Sequence, residues 1–229
     1  MPAPLLDTLR AALHEAADPD RAPAMQAYMK TSMPFHGVPR PARAAVEKRV
    51  LGAAALPSAA VWRREVLGLW RGARYREERY GAISLAQDRR ARCFHDMEAL
   101  PMFEEMIVSG AWWDLVDPLA THSLGRMLRE NPAEVRAVML GWSTDEDMWK
   151  RRTAILCQLH FKGETDLELL YACIDPSLAS KEFFLRKAIG WALRQHARTD
   201  PGEVARWVRV NEGRLSPLSR REAMKHLEG

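Results

Sequence analysis

Apolar residues recur at intervals of three and four along most of the chain. This spacing places them on one face of an α-helix, and it is clear over residues 149–160 and 182–194. No convincing alternation of apolar and polar positions, and no Asn-Gly hairpin turn, indicates a β-strand. The pattern predicts an all-α protein with about a dozen helices of roughly 10 to 18 residues, joined by short links.

Helix-start signals recur between these segments. Asn131-Pro132 and Asp200-Pro201 each place an N-cap residue before a proline at the first helical position, with an acid at the third. Three further pairs have capping-box spacing, with a hydroxyl residue three positions before a glutamate. These pairs are Ser143 with Glu146, Thr165 with Glu168, and Ser219 with Glu222. We predict helix starts at all five places.

A short motif also repeats with a nearly constant step. The motif is arginine, any residue, alanine and an apolar residue, and it starts at Arg43, Arg152, Arg186 and Arg221. With related sites at Ala82 and Pro118, the anchor positions are 45, 82, 118, 154, 188 and 223, so the steps are 37, 36, 36, 34 and 35 residues. This period predicts a right-handed superhelical solenoid of about six HEAT-like two-helix repeats with a concave basic face. Chance matches in an alanine- and arginine-rich chain are the alternative.

Arginine dominates the basic residues. The 34 basic residues comprise 27 Arg and 7 Lys, and the formal net charge is +4. Arginine suits phosphate and aromatic faces better than lysine does, so the composition permits a nucleic-acid partner without demanding one. The four repeated arginines would form a curved stripe that suits a curved polyanion. A row of solvated charges on ordinary helices is the alternative.

Several other classes of protein lack support in the sequence. The three cysteines Cys93, Cys157 and Cys173 form no close pair, which argues against a disulfide scaffold, a zinc ribbon or a redox motif and favours a reducing cytoplasm. The histidines have no recognised metal-ligand spacing, and no phosphate-binding glycine loop occurs. The uncharged stretch at residues 50–62 is too short to span a bilayer. We expect no cofactor, no metal and no membrane association.

A Trp-Trp-Asp segment is the first candidate for chemistry. On a helix, Trp113 and Asp117 are four positions apart and share a face. An indole beside a carboxylate can stabilise a cation, through its negative face and through the carboxylate charge. Alternatively, Trp112 and Trp113 are core residues and Asp117 caps a helix whose first residue is Pro118.

A second candidate segment spans residues 180–191, where basic and aromatic side chains interleave. The segment contains Lys181, Phe183, Phe184, Arg186, Lys187 and Trp191. Such a surface could hold backbone phosphates and touch sugars or bases, although the three aromatic residues could equally be core. Gly190 costs this helix about 1 kcal/mol relative to alanine. Close packing beneath it, or room beside Trp191, would explain the cost.

Taken together, these segments resemble the AlkD-type DNA alkylation-repair glycosylases, which are HEAT-like solenoids. The likeness covers essentially the whole chain, and its motifs lie at residues 25–30, 112–117, 149–156, 181–191 and 215–223. The sequence departs from the family pattern at Pro118, directly after the aspartate, and at Pro34 and His36. The resemblance implies a single HEAT-like repeat DNA glycosylase domain over residues 1–229.

The resemblance also implies roles for individual residues. Asp117 corresponds to the family's catalytic aspartate, and Trp113 and Trp191 correspond to its two active-site tryptophans. Arg152 corresponds to an arginine that contacts the DNA backbone, and Tyr28 to a tyrosine of the concave face. With the basic and aromatic segment and the repeated arginines, the expected DNA-binding residues are Tyr28, Arg152, Lys181, Phe183, Phe184, Arg186, Lys187 and Arg221.

The activity that the resemblance implies is excision of N3- and N7-alkylated purines from duplex DNA, the first step of base excision repair. The expected enzyme is a cytoplasmic, nucleoid-associated monomer without an obligate protein partner. The catalytic cluster offers no candidate lysine nucleophile, which predicts a monofunctional enzyme. Two other classes stay open, a non-catalytic DNA-binding solenoid and a scaffold that grips peptides. The presence of Asp117 with both tryptophans speaks against the first, and the arginine series speaks against the second.

Overall fold

The computed structural model describes residues 4–225 and 227. Fourteen α-helices and no β-strand occur in this part of the chain, so the all-α prediction is confirmed. The helices are α1 (Pro4–Glu15), α2 (Ala22–Met29), α3 (Arg40–Gly52), α4 (Ala59–Gly72), α5 (Arg76–Ala86), α6 (Leu100–Gly110), α7 (Trp113–Pro118), α8 (Gly125–Glu130), α9 (Pro132–Ser143), α10 (Met148–Leu156), α11 (Leu167–Ile174), α12 (Phe183–Ala197), α13 (Pro201–Val210) and α14 (Pro217–Met224). None of these helices is long and apolar enough to cross a membrane.

The chain forms two compact units, Met1–Phe94 and His95–Gly229, which we call the N-terminal and C-terminal units. In the N-terminal unit, α1 packs on α3, and α4 packs on α5. In the C-terminal unit, α9 packs on α10, and α13 packs on both α12 and α14. Helices that are adjacent or nearly adjacent in sequence therefore pair in space within each unit, which is the local order of a helical solenoid.

The repeat found in the sequence corresponds to one layer of stacked helices in each unit. The six anchor positions fall on α3, α5, α7, α10, α12 and α14. In the N-terminal unit α3 packs on α5, and in the C-terminal unit α7, α10, α12 and α14 pack consecutively. Four of the anchor residues are buried alanines, namely Ala82, Ala154, Ala188 and Ala223. The handedness of the superhelix and its concave basic face stay predictions.

Two of the predicted helix starts are confirmed, and three are wrong. Helices α9 and α13 begin at Pro132 and Pro201, as the Asn-Pro and Asp-Pro signals predict. The three capping-box pairs do not start helices. The residues that cap α10, α11 and α14 are Asp147, Asp166 and Ser216, and each accepts a hydrogen bond from a first-turn N–H. A nearby aspartate or serine therefore caps each of these helices in place of Ser143, Thr165 and Ser219.

The N-terminal unit is held together by a fully buried carboxylate. Glu78 Oε1 accepts a hydrogen bond of 2.7 Å from Arg10 Nε, which joins α1 to α5. Its Oε2 accepts from Arg10 Nη2 at 3.0 Å and from the Arg74 N–H at 2.7 Å. Burial alone would raise the pKa of Glu78, but His36, whose Nε2 lies 3.6 Å from Oε1, and the hydrogen bonds from Arg10 and Arg74 lower this pKa to about 2.

We expect this carboxylate to make the unit sensitive to acid. Because the pKa of Glu78 lies below its ordinary value of 4.5, its contribution to stability is present above pH 4.5 and is lost as the pH falls towards about 2. The loss amounts to about 3 kcal/mol of unfolding free energy. Chemical denaturation from pH 6 to pH 2.5 would measure it. The wild type should lose more stability over this range than Glu78→Gln, and parallel curves would contradict the assignment.

Candidate active site

The helix that carries the Trp-Trp-Asp segment runs through Pro118. Trp112 is the N-cap of α7, and its carbonyl accepts from the N–H groups of Leu115 and Val116. After Pro118 the chain continues as a π-helical turn over Leu119–Leu124 and then as α8. Asp117 therefore lies inside a continuous helical segment, and the alternative in which it caps a helix starting at Pro118 is wrong. Single π-turns within helices are frequent at functional sites.

Asp117 is buried and forms a two-pronged ion pair with Arg152 of α10. Arg152 Nε donates to Asp117 Oδ1 at 2.7 Å, and Arg152 Nη2 donates to Oδ2 at 2.8 Å. The two residues are only 9% and 4% exposed, respectively. A bidentate pair of this kind fixes both the position and the plane of the carboxylate.

Two opposing effects set the protonation of this carboxylate. Burial raises the pKa of Asp117 above its ordinary value, and the hydrogen bonds and charge of Arg152 limit that rise. Asp114, three positions earlier, adds a smaller upward contribution to the pKa through its negative charge. Arg152 is thus the group that opposes the effect of burial and favours the ionised carboxylate.

Arg152 is itself held by a third bond. Its Nη1 donates to the backbone carbonyl of Phe184, at the start of α12. The Phe184 ring packs against Trp112 and Trp149, with ring centroids 5.1 and 5.0 Å apart. Three of the five N–H groups of the guanidinium are therefore used inside the protein. Arg152 joins three helices of one layer, and the contact with DNA that the sequence suggests stays a prediction.

The two tryptophans expected beside Asp117 lie on the helices that this network joins. Trp113 is half-buried, one helical turn before Asp117 on α7. Trp191 is half-buried on α12 and packs against the hydrophobic core of the C-terminal unit. It is seven positions after Phe184, so both lie on the same side of α12. Their roles at the reacting sugar stay predictions.

The other expected DNA-binding residues of the C-terminal unit differ in their exposure and in their bonds to the protein. Lys181, Phe183 and Arg221 are exposed, and Phe183 is 53% accessible. Lys187 is bound by Glu222 of α14 at 2.9 Å, and Arg186 is half-buried with its Nε inaccessible. In the N-terminal unit, Tyr28 lies on α2 with 75% of its surface exposed.

Gly190 allows α12 and α14 to pack in close contact. A Cβ at this position would lie 2.4 Å from Glu222 Cβ and 2.9 Å from the Ser219 carbonyl oxygen. Ser219 Oγ also donates to the Arg186 carbonyl at 2.9 Å across the same contact. Close packing, the first of the two explanations, accounts for a glycine inside this helix.

Replacing Gly190 by alanine should therefore destabilise the protein. The extra methyl group has no room, and overpacking of this kind costs about 1–3 kcal/mol. Gly141 is the matched control, because a Cβ there meets nothing within 4 Å and alanine should stabilise α9 by up to about 1 kcal/mol. Equilibrium unfolding of both variants would measure the difference. Equal effects would contradict the close contact.

Sequence reasoning missed how these residues are connected. It placed Asp117 in the chemistry and Arg152 on the DNA, but it did not pair them. It also missed the Phe184 carbonyl and the bond from Thr121 Oγ1 to the Asp117 carbonyl, which is 2.8 Å long in the π-turn. The repeat period is the signal that could have found the pair, because Asp117 and Arg152 are 35 residues apart. Among the described residues, no group of three or more metal-ligating side chains could hold a metal ion.

The fold and the site define an all-helical repeat protein with a buried carboxylate that an arginine holds by two hydrogen bonds. The family model for DNA alkylation repair enzymes matches residues 9–227, and the chain belongs to this family. The chain is also similar to a solved structure described as a "Predicted DNA alkylation repair enzyme from Enterococcus faecalis". The two are 32% identical with a TM-score of 0.83, over 92% of this chain and 96% of that one. No curated protein matched significantly.

Membership in this family confirms the AlkD-like resemblance and gives the protein a role in DNA alkylation repair. The family implies DNA as the substrate.

Proposed function

We propose that this protein is a monofunctional DNA glycosylase. It hydrolyses the N-glycosidic bond of cationic N3- and N7-alkylpurines in duplex DNA, including 3-methyladenine and 7-methylguanine. The observation that carries the proposal is the buried Asp117 carboxylate, which Arg152 holds by two hydrogen bonds. Asp117 lies on the same helix as Trp113. Family membership supports alkylated DNA as the substrate.

The chemistry of the lesion matches what this site can supply. An N3- or N7-alkylpurine is already positively charged, so it can leave as a neutral base without being protonated. The positive charge then develops on the deoxyribose, and water must add to its C1′ carbon. The site therefore needs a fixed negative charge and a group that can hold or deprotonate water, rather than an acid.

Asp117 can perform both tasks. Each of its oxygens accepts one hydrogen bond from Arg152, and a carboxylate oxygen has two acceptor sites. Each oxygen thus keeps one acceptor site for a water molecule, and the carboxylate charge can stabilise the cationic sugar. Because the carboxylate is fixed before substrate binds, little reorganisation is needed when the charge develops.

The aromatic side chains would complete the environment of the sugar. Trp113 and Trp191 are half-buried, so part of each indole is accessible to a ligand. An indole face stabilises a nearby cation by ~0.5–2 kcal/mol. Exposed Phe183 and Lys181, with Arg186, Lys187 and Arg221, would contact the DNA outside the reacting sugar, and Tyr28 would contribute from the N-terminal unit.

The lysines near the site support hydrolysis rather than Schiff-base chemistry. Lys150, on the same helix as Arg152, is bound by Glu104 at 2.8 Å and by Asp145 at 2.6 Å. These carboxylates raise the pKa of Lys150 against the lowering effect of burial, so the amine stays protonated. A protonated amine is not a nucleophile, and a Schiff-base lysine needs a lowered pKa. Strand cleavage by this enzyme should therefore require a separate agent.

We extend the proposed substrate range to bulky N3-adenine adducts. The catalytic requirement is a cationic base and an accessible sugar, and neither depends on enclosing the base in a pocket. Release of methylpurines combined with failure to release a bulky adduct would reject this extension and leave the glycosylase proposal intact.

The test of the proposal uses duplex DNA methylated on its purines. We expect the wild type to release free 3-methyladenine and 7-methylguanine, with strand breaks only after alkali treatment. Tight, salt-sensitive duplex binding without release of base would instead favour a non-catalytic DNA-binding protein. Breaks formed without alkali would contradict the monofunctional assignment.

A further inference from the structure

A basic cleft lies next to the helical segment that carries Asp117, and the proposed reaction does not use it. The cleft measures about 480 Å³ and is lined by Thr121, His122, Arg126, Arg129, Glu130 and His160. All of these residues belong to the C-terminal unit. They come from the π-turn and α8 on one side and from the segment after α10 on the other.

The lining favours an anion. Two arginines and two histidines line it with Glu130, and the Arg126–Glu130 pair is long, at 3.4 Å. Arg129 is fixed more firmly, because its guanidinium stacks over Phe161 at 4.0 Å and pairs with Glu164 at 3.1 Å. Arg126 is thus the less constrained of the two charges and the one more able to turn towards a ligand.

A pair of histidines forms the rest of the wall. The rings of His122 and His160 stack with centroids 4.9 Å apart and planes within 20°. Burial and the charge of His160 lower the pKa of His122, while burial and the charge of Arg129 lower the pKa of His160. The charged groups around the pair are Arg126, Arg129, Glu130 and Glu164. Both rings are therefore mostly neutral at pH 7, and a bound anion would favour their protonated forms.

The cleft is close to the candidate active site along the helix. His122 is five residues after Asp117 on the same continuous helical segment. Thr121 connects the cleft to the candidate active site, because it lines the cleft and its Oγ1 donates to the backbone carbonyl of Asp117. The cleft therefore adjoins the turn of helix that directly follows Asp117.

We propose that the cleft formed by Thr121, His122, Arg126, Arg129 and His160 binds a backbone phosphate of the DNA. This inference rests on the proposed function, because it takes alkylated DNA as the ligand. The phosphate fixes the strand relative to Asp117, and Arg126 and the two histidines are its positioning residues. Binding is coupled to proton uptake, so affinity rises as the pH falls through the pKa values of the histidines in the complex.

The experiment is a scan of backbone neutralisation. A duplex with a stable abasic-site analogue is prepared with one neutral methylphosphonate at each position around the site. In the wild type, at least one position should weaken binding. In Arg126→Ala, the effect at that position should disappear while the effects elsewhere remain. Loss of one phosphate contact should also lower the slope of log affinity against log salt by about 0.9.

The matched control is Arg206→Ala. Arg206 is exposed and pairs with Glu203 at 2.7 Å, as Arg126 pairs with Glu130, but it lies on α13 outside the cleft. For Arg206→Ala, the dependence of affinity on salt and the effects of each methylphosphonate should equal those of the wild type. A second variant, His160→Asn, removes one proton site at an exposed position and should reduce the gain in affinity between pH 8 and pH 6.

Identical scans and salt slopes for the wild type and Arg126→Ala would overturn the proposal. Titration of the histidine NMR signals with inorganic phosphate also tests whether the cleft binds free phosphate. Shifts in that titration together with an unchanged scan would assign the cleft to free phosphate and would also overturn it. Base release is measured on the same preparations. If base is released but Arg126→Ala does not change the scan, only the phosphate site is rejected. If Arg126→Ala changes the scan but no base is released, only the glycosylase proposal is rejected.

Discussion

Replacing Asp117 by asparagine is expected to slow release of 7-methylguanine from duplex DNA by about 10²–10⁴-fold. The amide has nearly the shape of the carboxylate, but it has no charge to stabilise the developing sugar cation. It also cannot take a proton from water. Because the proposed phosphate contacts involve other side chains, we expect the affinity for duplex DNA to change much less than the rate. Single-turnover release and equilibrium binding would measure the two effects separately.

The control for Asp117→Asn must separate lost chemistry from lost structure. Removing one partner of a buried ion pair commonly costs about 3–5 kcal/mol of stability, and Arg152 would lose its charged partner. Glu78→Gln is the matched variant, because it removes a buried carboxylate from an arginine in the N-terminal unit. It should lose stability and keep the rate of base release. A wild-type rate for folded Asp117→Asn would contradict the role of Asp117.

Replacing Arg152 by glutamine is expected to move the acid limb of the pH–rate profile to higher pH. Activity needs the ionised carboxylate, and Arg152 opposes the rise in the pKa of Asp117 that burial causes. Without the guanidinium, this pKa should rise further. A larger fraction of the enzyme is then protonated and inactive near neutrality. The profile of single-turnover rates from pH 5 to pH 9 would measure the shift.

Arg151→Gln is the control for this shift. It removes a positive charge at the next position on α10, but the Arg151 guanidinium bonds Ser177 Oγ at 3.1 Å rather than Asp117. Its acid limb should coincide with that of the wild type. Arg152→Lys keeps the positive charge but cannot form the bidentate pair with Asp117. Its acid limb should lie between those of the wild type and the glutamine variant. A shift of equal size in Arg151→Gln would contradict a specific action of Arg152.

Periodicity was sufficient to predict the helical fold and its repeat. Spacing of three and four residues identified the helices, and the Arg-x-Ala motif located the helices of one layer. The capping predictions failed because several residues near a helix start can bond its first N–H groups. Sequence spacing does not decide among Ser143, Glu146 and Asp147, since the choice depends on where the chain turns. In the structure that residue is Asp147.

The site was predictable as a set of residues but not as a network. The repeat places Asp117 and Arg152 in neighbouring repeats, and the same step separates Lys187 from Glu222, which are 35 residues apart and bonded. It does not say which side chains point at one another, because that depends on rotamers and on the packing of Phe184 beneath the guanidinium. Burial of Arg152 was not predictable, since exposed and buried arginines share the same motif.

The central claim is that the protein breaks the glycosidic bond of an alkylpurine through Asp117. A product balance on a duplex with a single 7-methylguanine tests it most directly, with wild type and Asp117→Asn side by side. We expect equal amounts of free 7-methylguanine and abasic sites from the wild type, and almost none from the variant. Bound duplex with its 7-methylguanine intact, or DNA in which guanine has been restored without free base, would contradict it.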